Sequence, residues 1–187
     1  MLERIGFRPK IKEQEITVEK YKQQIAQGLD FNGAGFLKTP KEVEQRMLNE
    51  ISSNLIEISG HLRIPLPQVG LIHGWNQKLH GYTQNHEIRE VLANASVDNN
   101  HPDGIIRFSP FYIKSEITYR MGIDQRPALP FGFIIPHENF HIWQYHNQYE
   151  QVTRDCQLME NGGLSAWAQT KTEIEADEFA KSWILRN

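Results

Sequence analysis

Apolar residues recur at intervals of three and four along the first third of the chain. One stripe runs from Val18 to Leu29, and a longer one runs from Val43 to Leu62. Residues at these intervals share one face of an α-helix, so both stripes predict amphipathic helices. The second helix is expected to open at Thr39-Pro40, with the threonine as its capping residue, and to end near Gly60.

The pattern changes after Pro65, where short runs alternate with turn-forming residues. Gln68–His73 predicts a short strand, and Ile105–Ile113 predicts a second because it is rich in β-branched and aromatic side chains. Glu87–Ala95 predicts a short helix between them. Pro110 lies inside the second strand. Since proline cannot donate a hydrogen bond to a neighbouring strand, this strand is expected at an edge of the sheet.

Two further helices are expected at the C-terminal end. The first starts at Phe131 or Pro136 and reaches about Leu158, and the second lies within residues 164–184. Asn161-Gly162-Gly163 is the predicted break between them, because glycine and asparagine favour turns.

Length and composition narrow the classes of protein that fit. The chain has 187 residues and is expected to form a single domain, with a helical part over residues 1–64 and a sheet with catalytic helices over residues 65–187. A net charge of −3 predicts no nucleic-acid partner. Neither a secretion signal nor an apolar run of membrane-spanning length is visible, so we expect a cytoplasmic protein without a membrane partner. Cys156 is the single cysteine, which excludes an intrachain disulfide. The oligomeric state is not indicated.

His137-Glu138-Asn139-Phe140-His141 is the sequence that carries chemistry. Residues four apart on a helix lie about 40° apart around its axis, so both imidazoles face the same way. Two such nitrogens bind one Zn²⁺, and the glutamate after the first histidine can take a proton from water. The alternative is a pair of ordinary histidines on a helix.

A third metal ligand is expected from the last helix. Glu173 and Asp177 are four residues apart and share a face. One carboxylate there is a candidate ligand, and the other a candidate partner for a ligand imidazole. Thr172 with Glu175 fits a helix-capping box, which would leave Glu173 free for metal, but Thr170 with Glu173 fits the same box.

The two motifs together resemble the gluzincin metallopeptidases. HENFH followed at a distance by EIEADEFA is similar to the catalytic core of the HtpX-type and CAAX prenyl proteases and to ImmA/IrrE-type domains, over residues 100–187. The resemblance implies a zincin-like α+β fold, in which a small mixed sheet with an antiparallel edge strand packs on the active-site helix. A proline directly before the first histidine departs from the family pattern.

The resemblance also implies a role for each residue. His137, His141 and Glu173 would bind Zn²⁺, Glu138 would be the general base in hydrolysis of a peptide or protein substrate, and Asp177 would orient a ligand histidine.

The same resemblance makes Ile105–Ile113 the edge strand along which an extended substrate lies. It therefore implies substrate-binding roles for Arg107, Phe108 and Ser109.

Three alternatives stay open. The chain could be a catalytically silent zincin-like module that regulates or binds a partner, or a structural domain with a fortuitous motif. Two histidines and a carboxylate also suit Fe²⁺, Mn²⁺ or Co²⁺. Gln144 lies about 20° from His137 around the helix and could contact a ligand histidine, but a solvent-facing side chain is expected.

Overall fold

The structure is a computed structural model that describes residues 16–31, 39–72, 92–125, 127 and 129–186, with the backbone alone from 159 to 165. Within these residues it has six helices and three strands. In chain order they are α1 (Val18–Leu29), α2 (Lys41–Leu62), β1 (Gln68–Leu71), β2 (Ala93–Ser96), β3 (Ile105–Phe108), α3 (Pro110–Arg120), α4 (Phe131–Asn147), α5 (Tyr149–Trp167) and α6 (Lys171–Arg186). The α+β class predicted from the sequence is confirmed.

The two N-terminal helices form where the apolar stripes predict them. Thr17 caps α1 by accepting a hydrogen bond from the Lys20 N–H. α2 starts one residue after Pro40 and continues two residues beyond Gly60, which is a helical residue rather than the predicted end. The buried faces of both helices belong to one apolar cluster that also contains residues of the sheet, α3, α4 and α6.

The three strands form a small mixed sheet in the order β1-β3-β2. β1 is parallel to β3, with Val69 opposite Ile106, and β2 is antiparallel to β3, with Ala95 opposite Ile106. The predicted mixed sheet with an antiparallel edge strand is therefore present, and that edge strand is β2. It lies against α4, the helix that carries both histidines of the motif.

The predicted edge strand at Ile105–Ile113 is wrong in both length and position. The strand ends at Phe108, and Pro110 is the first residue of α3. Proline is favoured at the first position of a helix, because the N–H it lacks would have no partner there. β3 is also the central strand, paired on both sides.

The short helix predicted at Glu87–Ala95 is likewise wrong where it can be compared. Residues 93–95 belong to β2, and residues 87–91 lie outside the described part of the chain. The strand predicted over Gln68–His73 is confirmed as β1 as far as Leu71, and His73 lies outside the described residues.

The C-terminal region has three helices where two were predicted. Gln148, with a non-helical φ of −132° and ψ of 33°, separates α4 from α5. The predicted break at residues 161–163 lies inside α5, which continues to Trp167 despite the helix cost of about 1 kcal/mol per glycine. None of the described helices combines the length and apolar character needed to cross a membrane.

The two edges of the sheet differ in what covers them. Gln68 and Ile72 donate toward β3, so Val69 directs its carbonyl outward. α1 lies against that carbonyl: a Cβ added to Gly28 would be 1.8 Å from the Val69 oxygen, so only glycine permits this approach. On the opposite edge, Leu92 accepts from the Ser109 N–H at 2.8 Å. Because hydrogen-bonded pairs alternate along an antiparallel ladder, Ala93 and Ala95 of β2 direct their backbone groups outward.

Candidate metal centre

The histidines of the motif meet on one face of α4. The Nε2 atoms of His137 and His141 are 3.0 Å apart. Pro136 sits one residue before the pair without ending the helix, which begins at Phe131. Its missing N–H leaves the Gly132 carbonyl without an intrahelical donor, and α4 tolerates this loss in its second turn.

Glu173 of α6 completes a group of three potential ligands. Its Oε1 is 3.0 Å from His141 Nε2, and its Oε2 is 3.5 Å from His137 Nε2. One ligand atom from each of the three residues lies within 4.8 Å of the other two. The predicted convergence of His137, His141 and Glu173 is therefore present, and metal binding by them stays a prediction.

The start of α6 determines where Glu173 points. Thr170 Oγ1 accepts from the Glu173 N–H at 3.3 Å, so Thr170 caps this helix and Thr172 does not. The Thr172 hydroxyl and N–H both donate to Asp155 of α5 instead. The sequence allowed two capping boxes, and the threonine that caps the helix is that of the Thr170–Glu173 box. The Glu173 side chain does not complete this box but contacts the two histidines.

The electrostatics of the group fit a bound cation. Burial alone would lower the pKa of His137, but its hydrogen bond to Glu173 and the charges of Glu138 and Asp177 raise that pKa to about 9. Burial likewise opposes ionisation of Glu173, yet hydrogen bonds to both histidines lower its pKa to about 2. Both shifts favour a positive charge between the two imidazoles and the carboxylate, which is where a divalent metal would lie. Two imidazoles and one carboxylate are a ligand set of catalytic zinc sites, so the residues fit the metal.

Glu138 lies beneath the edge strand, next to the first ligand. Its side chain is 7% exposed, and its Oε2 is buried without a hydrogen-bond partner. Burial raises the pKa of Glu138, whereas the charges of the two histidines and a hydrogen bond from the Ala95 backbone lower it, with a net rise. A buried carboxylate with one unpaired oxygen and a raised pKa has the properties of a general base.

Asp177 lies beside the ligand histidine, as predicted. Its Oδ1 is 3.1 Å from His137 Nδ1, and its Oδ2 is 3.6 Å from Lys181 Nζ. The approach to the ring is close but is not aligned as a hydrogen bond.

Gln144 was predicted to face solvent, and this prediction is wrong. The side chain is 0% exposed, and its Oε1 is 2.8 Å from His141 Nδ1. The available signal was its spacing of three residues from His141, which places both on one face of α4. Thr172, which accepts from Gln144 and donates to Asp155, was considered only as a capping residue. Asp155 belongs to no motif that could have indicated this contact.

The structure removes the basis on which three substrate-binding residues were predicted. Phe108 is 0% exposed and Ser109 is 6% exposed, so both side chains are buried. Arg107 donates to Ser96 Oγ at 2.9 Å. Their assignment depended on an edge strand at this position, whereas β3 is the central strand of the sheet.

The chain was compared with protein-family models, with curated proteins and with solved structures, and none of them matches it. The metal centre is therefore argued from its own geometry.

Proposed function

We propose that this protein is a metal-dependent peptidase, with zinc held by His137, His141 and Glu173. The observation that supports this most strongly is the convergence of two imidazole nitrogens and a carboxylate within 4.8 Å, beside a buried glutamate that has an unpaired oxygen. The resemblance to gluzincins in HExxH and the later E-x-x-A-D helix points to the same chemistry.

Residues of the chain would have separate roles in the hydrolysis. Zn²⁺ would supply Lewis acidity, polarising a peptide carbonyl and lowering the pKa of water toward about 7. Glu138 would accept the proton of the attacking water at Oε2 and pass it to the leaving amine. Asp177 would orient the His137 ring.

The outer edge of β2 is our candidate platform for an extended substrate. Ala93 and Ala95 direct backbone groups away from β3. The Ala95 N–H donates to Glu138, so the groups offered to a peptide are the Ala93 N–H and the two carbonyls. A peptide that pairs with this edge would pass directly over the general base. The opposite edge of the sheet is covered by α1 at Gly28.

The test combines metal content with activity. We expect protein purified without chelator to contain one equivalent of zinc and to cleave a chemically unfolded protein. Glu138→Gln should keep the metal but lose activity by about 10²–10⁴-fold, because an amide cannot accept the proton. His141→Ala should lose both metal and activity, since only two ligands remain.

Two results would contradict the proposal in different ways. Absence of any bound divalent metal would refute the metal centre. Stoichiometric zinc with no difference between wild type and Glu138→Gln in any assay would instead favour a catalytically silent module that binds a partner.

A further inference from the structure

Gln144 is an unusual residue to find fully buried, and every polar atom of its side chain has a partner. It lies one turn after His141 on α4 and is 0% exposed. Its Nε2 donates to the Thr172 carbonyl at 3.0 Å and is 3.4 Å from Glu175 Oε2, while its Oε1 is 2.8 Å from His141 Nδ1. The side chain therefore spans from the metal centre to the first turn of α6.

These contacts determine the orientation of the amide. Nε2 faces two oxygen atoms that can only accept hydrogen bonds, so a flipped amide would place Oε1 against both of them. Oε1 must then face His141, and an oxygen needs a donor. His141 accordingly carries a proton on Nδ1, so that Nε2, which lies 3.0 Å from both His137 Nε2 and Glu173 Oε1, is the atom that would bind a metal.

The far end of this contact is held by α5. Asp155 is 3% exposed and accepts hydrogen bonds from the Thr172 N–H at 3.0 Å and from the Thr172 hydroxyl. Thr172 directly precedes Glu173 in the chain. Gln144 thus ties the imidazole of one predicted ligand to the backbone that carries another.

A carboxylate at this position would not serve the same purpose. It would face the Thr172 carbonyl and the Glu175 carboxylate without a donor. It would also add a negative charge to a site that already holds Glu138, Glu173 and Asp177. The neutral amide supplies an acceptor on one side and a donor on the other without adding a negative charge to the site.

We propose that Gln144 is a positioning residue of the metal centre, which fixes the His141 tautomer with a free Nε2 and holds that ring in register with Glu173. The inference rests on the metal centre of the proposed function but not on peptide hydrolysis. Partners that orient a ligand histidine typically contribute 10–100-fold to metal affinity.

The experiment uses the full chain and three variants. Zn²⁺ affinity is measured by competition with a chromophoric chelator, and folding by urea denaturation of the metal-free protein. Gln144→Leu removes both hydrogen bonds and should weaken zinc binding about 10–100-fold. Gln144→Glu restores the acceptor alone and should bind zinc with intermediate affinity. Asn139→Leu is the control, because Asn139 is also 0% exposed on α4 but donates to Ser59 on α2.

The ring nitrogens give a second readout that a merely structural role would not change. The ¹⁵N chemical shifts of His141 should report a protonated Nδ1 in wild type and in Gln144→Glu, in the metal-free protein as well as in the zinc-loaded protein. A mixture of tautomers is expected in Gln144→Leu.

Several outcomes would overturn the inference. Unchanged zinc affinity in Gln144→Leu would do so, as would an equal loss of affinity in Asn139→Leu, since destabilisation alone would then explain both. If the wild type bound no zinc, the proposed function would fail, and the ring shifts would still decide the role of Gln144: an Nε2–H tautomer in wild type would refute it.

Discussion

Two clusters of buried charged side chains lie in this protein, and they are balanced in different ways. In the first, between α2 and α3, Arg120 contacts Glu50 at 2.7 Å and Glu116 at 3.1 Å. The Tyr112 hydroxyl lies 3.3 Å from the other oxygen of Glu116 and 3.0 Å from the Leu129 carbonyl, and the guanidinium lies 5.7 Å from the centre of the Phe131 ring. The negative charge of Glu116 is therefore balanced by a cation of the chain itself.

The second cluster is the candidate metal centre, where the described residues supply no such cation. Among the described residues, neither Glu138 nor Glu173 forms an ion pair with a lysine or arginine, and the Glu138 Oε2 atom has no partner. Lys181 pairs with Asp177, but its side chain is 63% exposed. In the first cluster the chain therefore provides its own counter-charge, whereas the second is a group of side chains that can hold a metal ion.

The largest expected effect comes from removing the cation of the first cluster. Arg120→Met leaves Glu116, which is 2% exposed, without its counter-charge. Breaking a buried pair on one side costs about 3–5 kcal/mol, because the remaining charge is buried uncompensated. Urea denaturation of the metal-free protein measures the loss.

Glu50→Gln is the matched control for this variant, because the Glu50 side chain is 35% exposed. Its cost should stay within about 1 kcal/mol, as for other exposed pairs. An equally small cost for Arg120→Met would remove the distinction between the two clusters.

Adding zinc should have the next largest effect, and only through the second cluster. Free Zn²⁺ at a hundred times its Kd should stabilise the wild type by about 2.7 kcal/mol, because the metal binds the folded state alone. Zinc should stabilise Arg120→Met by the same amount, because the substituted residue lies in the other cluster. Denaturation curves with and without zinc provide the measurement. An equal gain in His141→Ala would place the binding elsewhere.

The same contrast explains how far the sequence could predict this molecule. The spacing of His137 and His141 requires only helical periodicity, which is local, so the pair could be predicted. The meeting of Glu173 with them depends on how α6 packs against α4. The shared face of Glu173 and Asp177 made a carboxylate of the last helix a candidate ligand, but only the resemblance to a known family selected Glu173. Periodicity cannot reveal such packing.

Long-range packing also accounts for the predictions that are wrong. Pro110 was recognised as incompatible with an interior strand position, but a helix start satisfies the same constraint as an edge strand. The central place of β3 depends on its pairing with both β1 and β2, which no local pattern encodes. Gln144 is buried because Thr172 and His141 supply its hydrogen bonds, and those partners are brought together only by the fold.

The smallest effect concerns a buried carboxylate that is held mainly by hydrogen bonds from neutral groups. Asp155 is held by hydrogen bonds from Thr172 and from Gln151, the latter at 2.9 Å. Burial opposes its ionisation, but these bonds keep the pKa of Asp155 below its ordinary value. A lowered pKa means that the ionised Asp155 stabilises the folded state fully above the unfolded pKa of about 3.9. This stabilisation is lost as the pH falls through the folded pKa.

Asp155→Asn should therefore cost about 1.5 kcal/mol at pH 7 and at pH 5, and progressively less below about pH 4. Urea denaturation across this range measures the difference, with Asp124→Asn, at an exposed residue, as control. A difference that stayed constant or grew toward pH 2.5 would show that neutral donors do not hold this carboxylate ionised.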